Sequence, residues 1–460
     1  MTRQTPLKIF EELNNNILDK QSAIQNLIAL IENSPKISHR LESLKILRKI
    51  SINFGKFEGN RDTLRDFLEN LLISDTDELI RNEAALILSY EYKEDALEPL
   101  RWALHHEESP LCLHTIFDSL INIVTSLTNK KEPTAKLILI HEIKLIKEKD
   151  FRIGFEVLKS TNKTEDFNSE KLASIVKNYY SILYLTKSYW RLKYKVEKCK
   201  IIELDFMFKG LTKLPEAVKH LTNLRKLVLR YNQITEIPDW IESLHALESL
   251  NLNVNNINKL PLAIGSLDNL KELLLWKNEL QDLPNSICSL RSLKTLNLRL
   301  NYLKRLPSNI GDLINLTDLN LHDNKLTQIP DSISLLKSLE TLNLSWNLLS
   351  NLTQSITNLS SLKSLDLERN ELIRVPISID SLTSLEILNL GDNKLESIPE
   401  SIGNLRKLRI LNLSRNRLSN IPQSILNLHN LEELYLSENN LNINFEFVKA
   451  IEKMGAKVFL

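Results

Sequence analysis

Cysteine is almost missing from this chain. Its three copies, Cys112, Cys199 and Cys288, are odd in number and far apart, which excludes a disulfide framework and a cysteine-based zinc site. Glycine is nearly as scarce. Nine in 460 residues leave little material for flexible linkers, and none falls in a G-x-x-x-x-G-K-[ST] or G-x-S-x-G pattern. Excess charge of either sign is missing too: 59 lysines and arginines face 58 acids, a net of +1, so no whole-surface attraction to nucleic acid or membrane is expected. No run of about 18 apolar residues occurs, and the opening MTRQTPLKIFEELNNNILDK lacks the apolar core of a secretion signal. These absences predict a reducing, aqueous compartment, the cytoplasm, and no membrane span.

Catalytic constellations are missing as well. His141-Glu142 would need a second histidine where Leu145 stands to make H-E-x-x-H. His105-His106-Glu107 has no partner at ligand spacing and reads as a solvated helix end. The chain ends too soon after the pattern described next to hold a ligase or kinase domain. The expectation is a protein that is not an enzyme, with no catalytic residue, no metal, no cofactor and no small-molecule substrate.

What is present is a repeat. From Ile201 the pattern L-x-x-L-x-L-x-x-N-x-L-x-x-L-P-x-x-I-x-x-L-x-x recurs every 23 residues in ten full copies, with an eleventh, partial copy opening at Leu431. Alternation at the fourth and sixth positions marks a short strand with one buried face, and stacked copies pair these strands into a parallel sheet. The ninth position is a column of asparagines: Asn232, Asn255, Asn278, Asn301, Asn324, Asn347, Asn370, Asn393, Asn416 and Asn439. Each amide can bond backbone groups that the sheet leaves unpaired. A recurring proline starts the return segment, whose I-x-x-L suits a helical turn on the opposite side. No copy buries its apolar face alone, so the array is a solenoid. Two departures stand out. Lys209 occupies the first asparagine place, as suits a terminal copy, and Thr353 replaces a proline, which is expected to relax the convex side locally.

The repeat resembles the 23-residue intracellular class of leucine-rich repeats, the Ras-group type of Ras-suppressor-like and Erbin-like scaffold proteins, over residues 201–442. That resemblance implies an α/β leucine-rich-repeat solenoid, with a parallel sheet on its concave face and helical turns on its convex face. It also implies a protein-binding scaffold with a protein partner, best guessed as a small GTPase. On the concave face the third, fifth, seventh and eighth positions are expected to point outward by alternation. Large and cationic side chains crowd the seventh and eighth columns of the earlier copies: Arg230, Tyr231, Trp276, Lys277, Arg299, Leu300, His322, Trp346 and Arg369. Exposed tryptophan, tyrosine and arginine are the types enriched in binding hot spots, so these nine form the expected partner-binding set.

Residues 1–130 read as amphipathic helices over 17–32, 37–53, 60–73, 77–91, 95–106 and 111–127. The stretch from Asp77 through Arg81 to Ala84-Ala85 resembles a HEAT repeat helix, which implies an all-α HEAT-like domain ahead of the solenoid. Residues 131–200 read as a helical connector and N-terminal cap, with a helix over 169–187 and Tyr189, Trp190 and Tyr194 covering the first sheet edge. Within 129–200, 17 basic residues face nine acids. Binding of nucleic acid or an anionic surface there is the alternative reading, and a solvated helical face is the preferred one. Residues 443–460 read as a C-terminal cap, a helix over 445–454 and a strand over 457–460.

Overall fold

Local sequence signals set the helix boundaries of the first half. Thr5, Asp19, Asp77 and Asn168 each accept a backbone N–H from the first turn that follows, which satisfies donors a helix leaves orphaned. Pro6, Pro110 and Pro133 open helices at the position where a missing N–H costs nothing. The computed structural model describes residues 5–55, 57, 61–129, 133–153, 156, 168–441 and 445–460. The basic stretch 129–200 and the C-terminal cap at 443–460 therefore lie partly outside the described residues. The chain divides into two compact units, Met1–Leu192 with Val196–Ile201, and Lys193–Lys195 with Ile202–Leu460.

Among the described residues, the first unit contains α1 (Pro6–Asn14), α2 (Lys20–Asn33), α3 (Ile37–Phe54), α4 (Arg61–Ser74), α5 (Glu78–Tyr92), α6 (Leu97–His106), α7 (Pro110–Asn129), α8 (Pro133–Leu145) and α9 (Ser169–Ser188). They pack as successive pairs, α2 with α3, α4 with α5, α6 with α7 and α8 with α9, and the second members α3, α5, α7 and α9 stack in a row. Helix α1 lies ahead of the helices expected from the sequence, and α8 falls within the expected helical connector. Helix α7 is long and apolar enough to cross a membrane by length and composition, but it carries His114, Asp118 and Asn122 and packs between α5 and α9. Arginines tie the pairs together. Arg40 and Arg81 each stand fourth in their helix: Arg40 bonds Ile31 O at 2.9 Å and the Asp75 carboxylate, while Arg81 bonds Asp75 O at 2.9 Å and grips Glu107 through two bonds of 2.7 and 2.8 Å.

Strands β1 (Lys193–Glu197) and β2 (Lys200–Asp205) open one 13-stranded sheet. Their two-residue turn, Lys198-Cys199, has φ of 48° and 60°, the double left-handed geometry of a tight hairpin. Strands β3 (Lys226–Val228) to β12 (Glu433–Tyr435) follow one per repeat, and β13 (Lys457–Phe459) closes the sheet beside β12 after helix α10 (Phe445–Lys453). The strand flanking β2 is thus β1, which carries Tyr194, and of the expected aromatic cover it is Trp190 that needs correction. Trp190 is 74% exposed, and Tyr189 and Tyr194 are half-buried. Helix α9 ends at Ser188 with Tyr189 as its C-cap, and a left-handed Arg191 (φ 52°) turns the chain just beyond.

Each repeat strand is only three residues long, and register advances by one repeat per strand, Leu227 facing Leu250 facing Leu273. The leucines of the first, fourth and sixth positions are fully buried through the middle of the array. The asparagines fuse neighbouring copies. Asn301 Nδ2 donates to Leu298 O at 3.0 Å and to Leu275 O of the preceding copy at 2.9 Å, while its Oδ1 accepts Leu280 N–H at 3.1 Å. The same three bonds recur from Asn232 to Asn439. Lys209 has no amide to offer, but its backbone N–H is accepted by Asn232 Oδ1 at 3.0 Å.

On the opposite side each proline precedes a short 3-10 turn. Thr353 does not relax this side, contrary to the sequence reading. It keeps φ −61° against −72° to −61° for the prolines, and its hydroxyl bonds Asp331 Oδ1 at 2.5 Å. Gly311 fills a different need. A Cβ there would sit 2.1 Å from Ser332 O of the next copy, so only glycine permits that approach.

Two stability predictions follow from the ladder and the turn. Asn301→Ala strands three buried backbone partners and is expected to cost about 3 kcal/mol, at about 1 kcal/mol per bond. Urea denaturation should show it beside the exposed Asn440→Ala, which should stay within about 0.5 kcal/mol of the parent. Thr353→Pro places proline on a backbone already at φ −61°, and the melting midpoint should hold or rise by the equivalent of up to about 1 kcal/mol.

Candidate protein-binding face

The seventh and eighth positions lie just past each three-residue strand. Alternation turns the third, fifth and seventh side chains outward, but would send the eighth into the core. The eighth residue instead takes φ between 52° and 58° in all eleven copies, Phe208, Tyr231, Val254, Lys277, Leu300, Asp323, Trp346, Arg369, Asp392, Arg415 and Glu438, with no glycine among them. That reversal, and not alternation, is what faces this column outward and sends the next residue, asparagine, inward. Left-handed backbone costs an ordinary residue about 1 kcal/mol. It is held because the eighth N–H still bonds the next copy: Tyr231 to Asn253 O at 3.0 Å, Lys277 to Arg299 O at 2.9 Å, Trp346 to Glu368 O at 2.8 Å.

The nine expected residues fall into three groups along the array. In the first, Arg230 Nε lies 3.0 Å from Met207 Sδ and its guanidinium 5.9 Å from the Tyr231 ring. Tyr231 stacks on Phe208 with centroids 4.6 Å apart. Phe208 is exposed and belongs to this patch, though it was left out of the expected set; the signal was an aromatic one period before Tyr231.

The second group is Trp276, Lys277, Arg299 and Leu300. Trp276 does not stand free as expected: it is half-buried, and its Nε1–H is enclosed with no hydrogen-bond partner among the described residues. The reason is its column, since a seventh-position side chain lies between the same columns of the two adjoining strands. Its own backbone N–H is taken by Asn253 Oδ1 at 2.8 Å. Lys277 and Arg299 are exposed, and among the described residues no carboxylate lies within ion-pair distance of either.

The third group is a connected cluster. Ser345 donates to Asn343 Oδ1 at 2.6 Å, so its oxygen accepts from His322 Nδ1 at 2.7 Å. This assigns His322 the Nδ1–H tautomer and leaves Nε2 as an acceptor. Burial, and then the Arg299 charge, hold His322 below the ordinary histidine range, so it is neutral at pH 7. Trp346, 43% exposed, lies 6.1 Å from the His322 ring, and the Arg369 guanidinium sits 4.0 Å over its face. Arg369 also pairs with Asp392 at 2.9 Å. Farther along, Arg415 pairs with Glu438 at 3.0 Å and Arg409 with Glu432 at 2.9 Å, so the charges of the last copies are largely matched.

The cysteines take no part in this face. All three are free and buried, and burial pushes Cys112 up to about 11 and Cys199 and Cys288 up to about 12, which keeps the thiols protonated and unreactive. Among the described residues no group of three His, Cys, Asp or Glu side chains is placed to hold a metal ion.

The electrostatic coupling of Arg299 to His322 is measurable. Arg299→Ala removes a cation that opposes protonation, so the His322 midpoint should rise toward the ordinary value, followed through its imidazole proton resonances. An unchanged or lower midpoint would contradict this geometry.

Comparison with known proteins agrees with the architecture. Residues 204–257 match the family described as Leucine rich repeat, and residues 263–351 and 347–456 match the Leucine-rich repeat region. No curated protein matches the chain's sequence. Among solved structures, a TDR receptor is 30% identical over 56% of this chain and 47% of its own length, with a TM-score of 0.52. A leucine-rich-repeat protein of Leptospira interrogans is 30% identical over 55% of this chain and 82% of its own, with a TM-score of 0.35. The Arabidopsis receptor kinase HAESA, solved with the peptide hormone IDA and the co-receptor SERK1, is 34% identical over 53% and 43%, with a TM-score of 0.47. The chain thus spans about half the length of the TDR receptor and less than half that of HAESA. Through residues 204–456, with their unbroken period, parallel sheet and asparagine ladder, the chain belongs to the leucine-rich-repeat family.

Proposed function

We propose that this chain is a non-catalytic adaptor that holds a folded protein partner against the sheet face of its repeats. One observation carries the reading: exposed aromatic and cationic side chains recur along the seventh and eighth columns, with Trp346 under Arg369 at one end and Tyr231 beside Arg230 at the other. Five strand steps of about 4.8 Å separate Tyr231 from Trp346 and six separate it from Arg369, roughly 24–29 Å, close to the width of a small folded domain. The side chains are the types that dominate binding energy, and they stand on a rigid sheet that loses little entropy on binding. The unpaired Lys277 and Arg299 beside Leu300 favour a partner surface that is apolar and acidic.

The 23-residue repeat supports placing the chain in the intracellular Ras-group class and in the cytoplasm, and its three free thiols agree with a reducing compartment. Within that class a small GTPase is the partner proposed. The first unit is read as a HEAT-like domain. Its helix pairs stack through their second members, and Asp77 and Arg81 bracket the first turn of α5, while Ala84 and Ala85 are fully buried on that helix.

The test is affinity capture from native lysate with the full chain and with the double variant Arg299→Ala, Trp346→Ala, the fold of each checked by circular dichroism. The lysate is loaded with a non-hydrolysable GTP analogue or with GDP. The partner recovered by the parent should fall at least tenfold on the variant and differ between the two nucleotides. A partner held equally by parent and variant places binding off this face, and equal recovery with either nucleotide argues against a GTPase.

A further inference from the structure

A groove lies wholly within the helical unit, and what it could bind is independent of the adaptor reading. Helices α4, α6 and α8 each turn one stripe into a shared groove of about 770 Å³. Arg65, Glu69 and Ile73 of α4 are spaced four apart, which places them on one helix face. Leu97, Glu98, Arg101 and Trp102 of α6, and Leu137, Ile138, His141 and Glu142 of α8, repeat a shared i, i+1, i+4, i+5 spacing.

Two features of this groove point to one kind of occupant. Its apolar side chains are left open: Ile73, Trp102 and Leu137 come from three different helices and are all exposed, Leu137 at 65%. Large apolar side chains converging from separate elements on a concave surface mark a binding groove more often than scattered surface residues do. Its charge is lopsided: Glu69, Glu94, Asp95, Glu98 and Glu142 stand against Arg65 and Arg101. Both cations are committed: Arg101 Nη1 donates to Glu142 Oε1, whose other oxygen accepts the buried Tyr180 hydroxyl at 2.5 Å, and Arg65 pairs with Glu69 at 3.4 Å. Asp95 meets Arg61 at 3.6 Å, while among the described residues Glu98 has no cation within ion-pair distance. Burial lifts Glu69 above the ordinary carboxylate range, and although Arg65 opposes this, Asp66 and Glu98 add to it. The groove as it stands is short of positive charge.

We propose that this groove binds a short, basic and apolar peptide segment of another protein, a lysine or arginine of it against Glu98 and its apolar side chains on Trp102, Leu137 and Ile73. A segment of this kind in extended conformation rises about 3.3 Å per residue. Alternation in such a segment sends cations to the acidic rim and apolar groups to the floor.

The probe is a fluorescein-labelled octapeptide alternating lysine with leucine and tryptophan, titrated into the full chain and followed by anisotropy. Controls replace its lysines with glutamate or its apolar residues with serine. The lysine peptide should bind saturably and both controls at least tenfold more weakly. Glu98→Lys and Leu137→Ser, both at exposed positions, should each weaken binding at least fivefold without shifting the thermal melt. Arg299→Ala with Trp346→Ala should leave peptide binding unchanged, so failure here and failure of the adaptor reading are separable. Equal binding of the glutamate peptide, or unaltered affinity in both groove variants, overturns the proposal. So does a self-associated chain that the same variants dissociate, which would assign the groove to a second copy.

Discussion

The asparagine amide that joins each repeat to the one before it is the interaction on which the solenoid rests. A three-residue strand satisfies few backbone groups by itself, and the chain must leave the sheet immediately afterward. At that departure the Asn301 side chain accepts one N–H and donates to two carbonyls across two copies, all buried, where an unpaired backbone group would cost more than the bond it lost. Because every amide spans a repeat boundary, the copies stabilise one another in series and none stands alone. The 23-residue period is the distance along the chain between one such amide and the next.

The binding face is a consequence of that same turn. To bring asparagine inward directly after an outward residue, the backbone must reverse, and the eighth position pays with left-handed φ in every copy. Nothing in that conformation requires a small residue so long as the side chain faces water. The column is therefore free to carry tyrosine, leucine, tryptophan or arginine on a backbone anchored by inter-copy hydrogen bonds. Strain and display have one origin, and a large side chain on a fixed backbone is what a partner can engage without ordering anything first.

The helical unit solves its joints by other means. Its loops are closed by arginine side chains, Arg40 and Arg81, that reach backbone carbonyls and carboxylates of neighbouring pairs, and by the buried Glu142 held between Arg101 and Tyr180. These bonds depend on charges placed in partly buried surroundings, where losing one partner strands the other. The groove lined by α4, α6 and α8 lies beside that buried network, which ties down Arg101 and Glu142.

By itself the sequence determined the repeat, its period, the buried leucines, the asparagine column, helices α2 to α7 close to their observed bounds, and the columns in which the candidate face lies. These are legible because each is local or periodic: a side chain's role recurs at a fixed spacing, or an N-cap and an apolar stripe sit within a few residues. Only the tertiary structure decided what depends on neighbours across copies or helices. Alternation could not supply the left-handed eighth position, the half-buried Trp276, or the His322 tautomer set through Ser345 and Asn343. The need for glycine at 311 comes from Ser332 O, one copy away. Trp190 looked like a cap in sequence yet points to water, and Thr353 looked like a defect yet holds proline's geometry. In each case the deciding contact comes from a residue distant in the chain, and distance in the chain is what a periodic or local reading leaves out.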